Sequence, residues 1–334
     1  MIRTNSHFNS ENKDNAYTIH RSSVEGELDS MTMKDIAVWH KLWTDWDRLK
    51  SKLGVENTID FLKRIQSGAL KISDLYYLVS DENIEEIKSL LSKGISIVPI
   101  TSPEYPPELK EYITGSIYPP LVLYLRGSLE ANKRIAIVGT RFCTNWGRSV
   151  TRKIVRKLVD SIPDVTIVTG FARGIDTEAV KASLDFNARA IGVLPWLMSI
   201  YPLRNERLAE QVVERGGALV SENLYEPASS KEIKQCLFLR NRIISSISKA
   251  IIVIEARLQY VKGKISGGAM WQVEYALKKN KKVFILKPRY KAYKRGGIWV
   301  NYEEAYKYFV KNGAIGFSES EIEGLIDHIK ELLN

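Results

Sequence analysis

"RIAIVGTRFCTNWGRSVTRKIVRKLV", residues 134–159, passes from a strand through a turn into a helix. Arg134 to Val138 is a short apolar run without alternation, the pattern of a strand buried on both faces. From about residue 147 the period changes. Val150, Ile154 and Leu158 form one stripe, widened by Val155 and Val159, while Arg152, Lys153, Arg156 and Lys157 cover the remaining surface. That spacing predicts an amphipathic helix. Between the two lies Gly139-Thr140-Arg141, followed later by Gly147-Arg148.

The same unit recurs. Apolar runs at 165–169, 189–194, 217–221, 250–255 and 282–287 read as strands. Amphipathic stretches at about 175–185, 204–215, 240–247 and 268–279 read as helices. Regular alternation predicts an α/β fold: a mostly parallel, doubly wound, Rossmann-like sheet with helices on both faces. Upstream, "ISIVPI" (95–100) and "LVLYLRG" (121–127) add two strands, joined by the proline-rich segment 102–120. The domain is therefore an extended Rossmann-like unit spanning 95–334.

Before it, residues 32–94 read as a small helical module. Ile36, Trp39, Trp43 and Trp46 recur at helical spacing, as do Ile59, Leu62 and Ile65. Such a stripe is a core face before it is a ligand platform. Residues 1–31 are polar and poor in large apolar groups, and are expected to be a disordered tail. No C-terminal winged-helix domain is expected.

The chain has 334 residues, 44% hydrophobic and 26% charged, a globular composition. Its net charge of +10 favours an anionic partner. Two cysteines and four scattered histidines exclude a disulfide framework and give no metal-ligand spacing, so no metal or cofactor is expected. No apolar run approaches the roughly 20 residues of a membrane span. The N-terminus lacks a secretory signal pattern, which leaves a cytoplasmic location as the expectation.

In open parallel sheets, ligands bind beyond the carboxyl ends of the strands. Those ends carry Gly139, Thr140 and Arg141; then "TGFARGID" (169–176), with Gly170, Arg173 and Gly174; then Asn205; then Arg240 and Asn241; then Gly267 and Gly268. Arg148 opens the helix after the first of these turns. A helix N-terminus offers unpaired N–H groups, glycine admits a phosphate to the backbone, and arginine adds a planar donor with permanent charge. Neither G-x-G-x-x-G nor G-x-x-x-x-G-K-[ST] occurs, so the usual NAD and ATP cradles are not predicted. The pattern suits a phosphate held partly by side chains. It requires Arg141, Arg240 and the Gly170 bend to face one shared surface. Asp176 and Glu255 read as helix N-terminal charges. Arg240 and Arg242 flank Asn241 at a helix start. From Lys278 to Arg295, nine of eighteen residues are Lys or Arg, with Phe284, Tyr290 and Tyr293 interleaved. That stretch suits either a phosphate track with stacking rings or the solvated flanks of a buried strand.

Together these residues resemble the DNA-processing protein A family (DprA, also called Smf). Its marks are matched by Gly139-Thr140-Arg141, by Thr169 to Asp176, by Tyr201-Pro202-Leu203-Arg204-Asn205, by Gly217 to Glu222 and by Arg240 to Ile244. The resemblance covers roughly residues 80 to 318. It implies a protein without catalysis that binds single-stranded DNA, dimerises and loads a RecA-type recombinase during recombination or DNA uptake. It also implies Arg141 as phosphate ligand. Gly139, Thr140, Gly170 and Gly174 would shape the pocket, and Asn205, Arg240 and Asn241 would line it. Two local departures stand out: the family's Phe-Pro before the R-N-R helix reads Leu237-Phe238, and its G-S-L-x-T-A reads Gly268 to Val273.

A rival resemblance is to Lonely Guy-type phosphoribohydrolases, which share the fold. Gly267-Gly268 and Glu274 keep the spacing of their glycine pair and catalytic glutamate. In that reading the Glu274 carboxylate stabilises an oxocarbenium-like transition state and Arg240 holds the phosphate of a nucleoside monophosphate.

Overall fold

The computed structural model describes residues 31–110, 118–261, 264–295 and 298–333. The tail expected over 1–31 therefore lies outside the described residues, apart from Met31. So does part of the proline-rich segment.

Four helices come first: α1 (Met33–Thr44), α2 (Trp46–Lys52), α3 (Thr58–Gln66) and α4 (Asp81–Ser92). Thr32 starts α1 through a reciprocal capping box with Asp35. Trp39 is buried against Phe61, whose ring it meets edge-on at 5.9 Å. The tryptophan stripe is thus core.

A nine-stranded sheet follows. Its strands are β1 (Ser96–Pro99), β2 (Val122–Gly127), β3 (Arg134–Gly139), β4 (Thr166–Thr169), β5 (Arg189–Val193), β6 (Ala218–Ser221), β7 (Ala250–Ile254), β10 (Lys282–Leu286) and β13 (Ile315–Phe317). Two hairpins account for the remaining strands, β8 (Gln259–Val261) with β9 (Lys264–Ser266), and β11 (Ala292–Arg295) with β12 (Ile298–Asn301). The helices of this part are α5 (Pro107–Lys110), α6 (Asn145–Ser161), α7 (Ile175–Asp185), α8 (Glu206–Glu214), α9 (Ser230–Ile247), α10 (Gly268–Lys278), α11 (Tyr302–Lys311) and α12 (Ile322–Leu333).

The spatial order is β1-β2-β6-β5-β4-β3-β7-β10-β13. From β6 to β13 every pairing is parallel; β1 and β2 form an antiparallel edge. The predicted mostly parallel, doubly wound sheet is the observed one. The chain leaves β3 toward β4 on one side and returns to β7 on the other. Their carboxyl ends diverge there, which is where an open α/β sheet opens a crevice.

The helical segment shares its interior with the sheet. Leu42, Phe61 and Ile87 belong to the same apolar cluster as Val98 and Leu123. Two polar contacts fix the docking. The Tyr124 hydroxyl pairs with His40 Nδ1 at 2.9 Å, and Trp43 Nε1 donates to the Glu222 carbonyl at 2.5 Å. Glu222 in turn holds Arg242 in a fully buried bidentate pair at 2.6 and 2.5 Å.

Two sequence expectations need correction, and one choice the sequence left open is partly decided. The helix expected at 240–247 begins at Ser230, ten residues earlier, so Arg240 and Arg242 lie in its middle. The signal was present: Ser229 and Glu232 form an S-x-x-E capping box. The strand at 282–287 is not the last, because the three-residue β13 pairs beside it and α12 covers that face. Part of the basic stretch is structural. Phe284 is buried in β10, and Lys281 Nζ donates to the carbonyls of Ser245, Ser246 and Ser248, closing the end of α9.

Candidate nucleic-acid interface

The first turn is built by three close approaches. A β-carbon on Gly139 would fall 2.0 Å from the Ile254 carbonyl, so only glycine lets β3 end against β7. Thr140 donates its N–H to the Glu255 carbonyl at 2.8 Å, and its hydroxyl accepts from Phe142 N at 3.1 Å. Gly174 has φ +83° and lies so near that a β-carbon would meet the Thr140 carbonyl at 2.3 Å. The turn after β4 is therefore packed directly on the turn after β3.

Glu255 binds the start of α6. Its carboxylate accepts from Thr144 N at 2.8 Å and from Thr144 Oγ1 at 2.6 Å, while Thr144 Oγ1 caps Gly147 N. This is a negative charge on a helix N-terminus, as the sequence suggested. Burial raises its pKa, and the hydrogen bonds from Thr144 oppose the rise.

Asn205 braces the second turn. Its Nδ2 donates to the Phe171 carbonyl and to Thr177 Oγ1, both at 3.0 Å. Phe171 sits at φ +60° with its ring buried against Gly192. Arg240 reaches from α9 across Gly170, and its Nη1 donates to the Val193 carbonyl at 2.8 Å.

These turns and α9 enclose a cleft of about 380 Å³ at the β3/β7 crevice. Gly139, Thr140 and Arg141 from the first turn, Arg240 and Asn241 from α9, and Gly267 just before α10 all line it. A small crevice on the far side of Arg141 and Arg240 is lined by Gly170 and Arg173. Arg141, Arg240 and the Gly170 bend thus share one surface, as required.

The electrostatics are uneven. Burial pushes the Arg240 guanidinium down to about 10, with Asp176 opposing and Arg141 reinforcing the shift. Arg240 stays cationic at neutral pH, yet its buried Nε has no hydrogen-bond partner. Burial raises Asp176, and Arg240 and Arg141 pull it back. Arg257 is lowered by burial and by Arg141. Three guanidinium groups therefore face one buried carboxylate around a hollow, an arrangement that an added anion relieves.

Six predicted residues do not line the cleft itself: Gly170 and Arg173 line the side crevice, Gly268 begins α10 beside Gly267, and the other three lie elsewhere. Arg148 pairs with Glu178 at 3.3 Å on the α6–α7 side. Asn205 and Gly174 act beneath the surface, supporting the turns. Sequence reasoning missed Phe142, Arg257, Lys234 and the Phe238–Trp271 pair, all of which line the cleft. Phe238 and Trp271 meet edge-on with centroids 4.6 Å apart. Lys234, Phe238 and Asn241 occupy one face of α9 at i, i+4 and i+7, so an earlier helix start would have revealed them. Arg257, its guanidinium 5.1 Å over the Phe142 ring, gave no local signal. The two meet only because β3 and β7 are neighbours.

Glu274 does not line the cleft. On α10 it shares a helix face with Trp271, which does, and it interacts electrostatically with Lys278 and with Tyr308 of α11.

The sequence pattern of the family described as DNA recombination-mediator protein A matches residues 96–313, most of the chain. The chain belongs to that family. Protein Smf of Escherichia coli K12 is 30% identical over 305 residues, covering 86% of this chain and 74% of its own length. The fold also matches solved members. DNA processing protein A of Streptococcus pneumoniae superposes with a TM-score of 0.60 at 22% identity, over 88% of this chain and 98% of that one. The Helicobacter pylori protein, described for its single-stranded DNA binding mode, gives 0.54 at 24% identity, over 71% and 96%. No helix among the described residues is long and apolar enough to cross a membrane, and no His/Cys/Asp/Glu group among them could hold a metal.

Proposed function

We propose that this chain binds single-stranded DNA in the β3/β7 cleft and acts in recombination or DNA uptake by binding alone. One observation carries the reading: Arg141, Arg240 and Arg257 converge with Phe142, Phe238 and Trp271 in a single cleft. Guanidinium groups hold phosphates bidentately, and aromatic rings stack on bases whatever their identity. Gly139, Thr140, Arg141, Gly170, Arg173, Arg240, Asn241, Gly267 and Gly268 form the binding surface in this reading, while Asn205 and Gly174 hold its turns. The name of the Helicobacter relative supports the same ligand. By family resemblance the protein works as a homodimer that passes the strand to a RecA-type recombinase.

A titration with labelled oligo-dT across a salt series tests the reading. Affinity falls as salt rises, and each phosphate contact contributes about 0.7 to the log–log slope. Arg141→Ala weakens binding to all sequences alike and flattens the slope by about that amount. Absence of binding at low salt overturns the proposal. Sedimentation of the protein alone and with recombinase tests the two assembly steps.

A further inference from the structure

Beyond Arg141 and Arg240 the surface does not close. The small crevice there runs from Gly170 and Arg173 to Pro195, Tyr201 and Pro202. It opens onto the loop after β5, where three large apolar side chains are exposed: Met198 at 39%, Tyr201 at 36% and Leu203 at 70%. The loop is braced rather than loose. Leu197 N and Met198 N donate to the carbonyls of Asn223 and Leu224, at 3.1 and 2.9 Å. The Tyr201 ring rests on buried Trp196, centroids 5.5 Å apart, and Trp196 Nε1 donates to Ser199 Oγ at 2.9 Å. The patch is flanked by exposed cations, Arg173 at the crevice and Arg204 and Arg207 just after Leu203. None of the three forms an ion pair among the described residues.

A folded protein rarely leaves a tyrosine, a leucine and a methionine together at the surface without a use for them. Two observations identify the occupant. The patch is continuous with the cleft, because Arg141 and Arg240 line both hollows. It also interleaves cations with apolar faces, the pattern that tracks a phosphate backbone while bases stack.

We propose that the Tyr201–Leu203 patch is a second base platform, and that the strand leaves the cleft across Arg141 and Arg173 to reach it. This rests on the single-stranded DNA reading above and deepens it: the ligand is a strand that crosses the arginine saddle, and not a free nucleotide held in the cleft. A mononucleotide fills only the β3/β7 side. The next phosphate lies at Arg173, and the following base stacks on the Tyr201 ring.

The test compares the full chain with Y201A/L203A, whose folding is checked by urea denaturation because the Tyr201 ring covers Trp196, and with Tyr201→Leu, which keeps bulk but loses the ring. Three probes are titrated: a twelve-nucleotide oligo-dT, an abasic strand of the same length, and dTMP as competitor. Losing one stacked base weakens binding by roughly tenfold or more. The inference therefore requires that loss for oligo-dT in Y201A/L203A and a smaller loss in Tyr201→Leu. Abasic-strand and dTMP affinities should stay unchanged, since neither places a base on the patch. Arg173→Gln should lower the oligo-dT salt slope by about 0.7 without changing that for dTMP. If Y201A/L203A binds oligo-dT as the parent does while Arg141→Ala weakens it, the platform is refuted and the cleft reading stands. If the unsubstituted chain binds no strand at all, both fall together.

Discussion

Arg240 lies across Gly170 so closely that a β-carbon on the glycine would fall 2.3 Å from Nη1 and 2.5 Å from Cζ. The guanidinium cannot retreat freely, because it is buried and Nη1 is tied to the Val193 carbonyl. The bend after β4 and the helix before β7 are therefore set against each other by one absent side chain.

Gly170→Ala should displace the Arg240 guanidinium and break its bond to Val193. Overpacking of this kind costs about 1–3 kcal/mol, so the fold survives. The lost cation should weaken oligo-dT binding by more than the loss of stability would suggest. Urea denaturation and a binding titration on the same sample check the two effects separately.

Acidification should tighten DNA binding through Asp176. Burial raises its pKa above the ordinary 3.8, so it takes up a proton earlier than a free aspartate as pH falls. Neutralising Asp176, the carboxylate that lines the cleft among the described residues, adds positive charge beside Arg141, Arg240 and Arg257. Oligo-dT affinity should therefore rise on acidification in the wild type and lose that pH dependence in Asp176→Asn. The linked stability has the same preference for low pH. The folded carboxyl keeps its proton longer than the unfolded one, so its contribution is full below 3.8 and is lost as pH rises through the folded value.

Removing one member of the buried Glu222–Arg242 pair should cost about 3–5 kcal/mol, because the survivor keeps its charge without a counter-ion. Glu222→Gln is the direct case. The double substitution of Glu222→Leu with Arg242→Met removes both charges and should cost less than either single change. Urea midpoints of the three proteins decide this.

Lys281→Met should remove the donor that closes α9, leaving the carbonyls of Ser245, Ser246 and Ser248 without it, at about 1–3 kcal/mol. Burial lowers the Lys281 pKa from 10.5 to about 8. Between those values the unfolded chain binds more protons, so wild-type stability should climb as pH rises across the window and fall as pH returns toward 8. The difference between wild type and Lys281→Met, measured by denaturation from pH 7 to 10.5, isolates that slope.

The sheet was legible because its strands are continuous apolar runs and its helices keep a clean stripe, as in Val150, Ile154 and Leu158. The cleft was half legible. Gly139, Arg141 and Gly170 sit in strand-to-helix turns whose chemistry is local. Asn205 carries a polar group in the right loop, but its amide is consumed inside the fold, which no local pattern reveals. Arg148 stands at a helix start yet on the face toward α7, a matter of one residue in helical phase. Phe142 and Arg257 meet only through the β3/β7 pairing, a long-range fact. The helix start at Ser230 was readable from its capping box, and missing it hid Lys234 and Phe238.

The shared interior of the N-terminal helices and the sheet edge has a practical result. The family match begins at residue 96, but Leu42, Phe61 and Ile87 cover Val98 and Leu123 from the other side. A shortened chain beginning at the first strand would bare that apolar face to water and strip Trp43 from the Glu222 carbonyl. It would precipitate on expression rather than yield a minimal DNA-binding fragment.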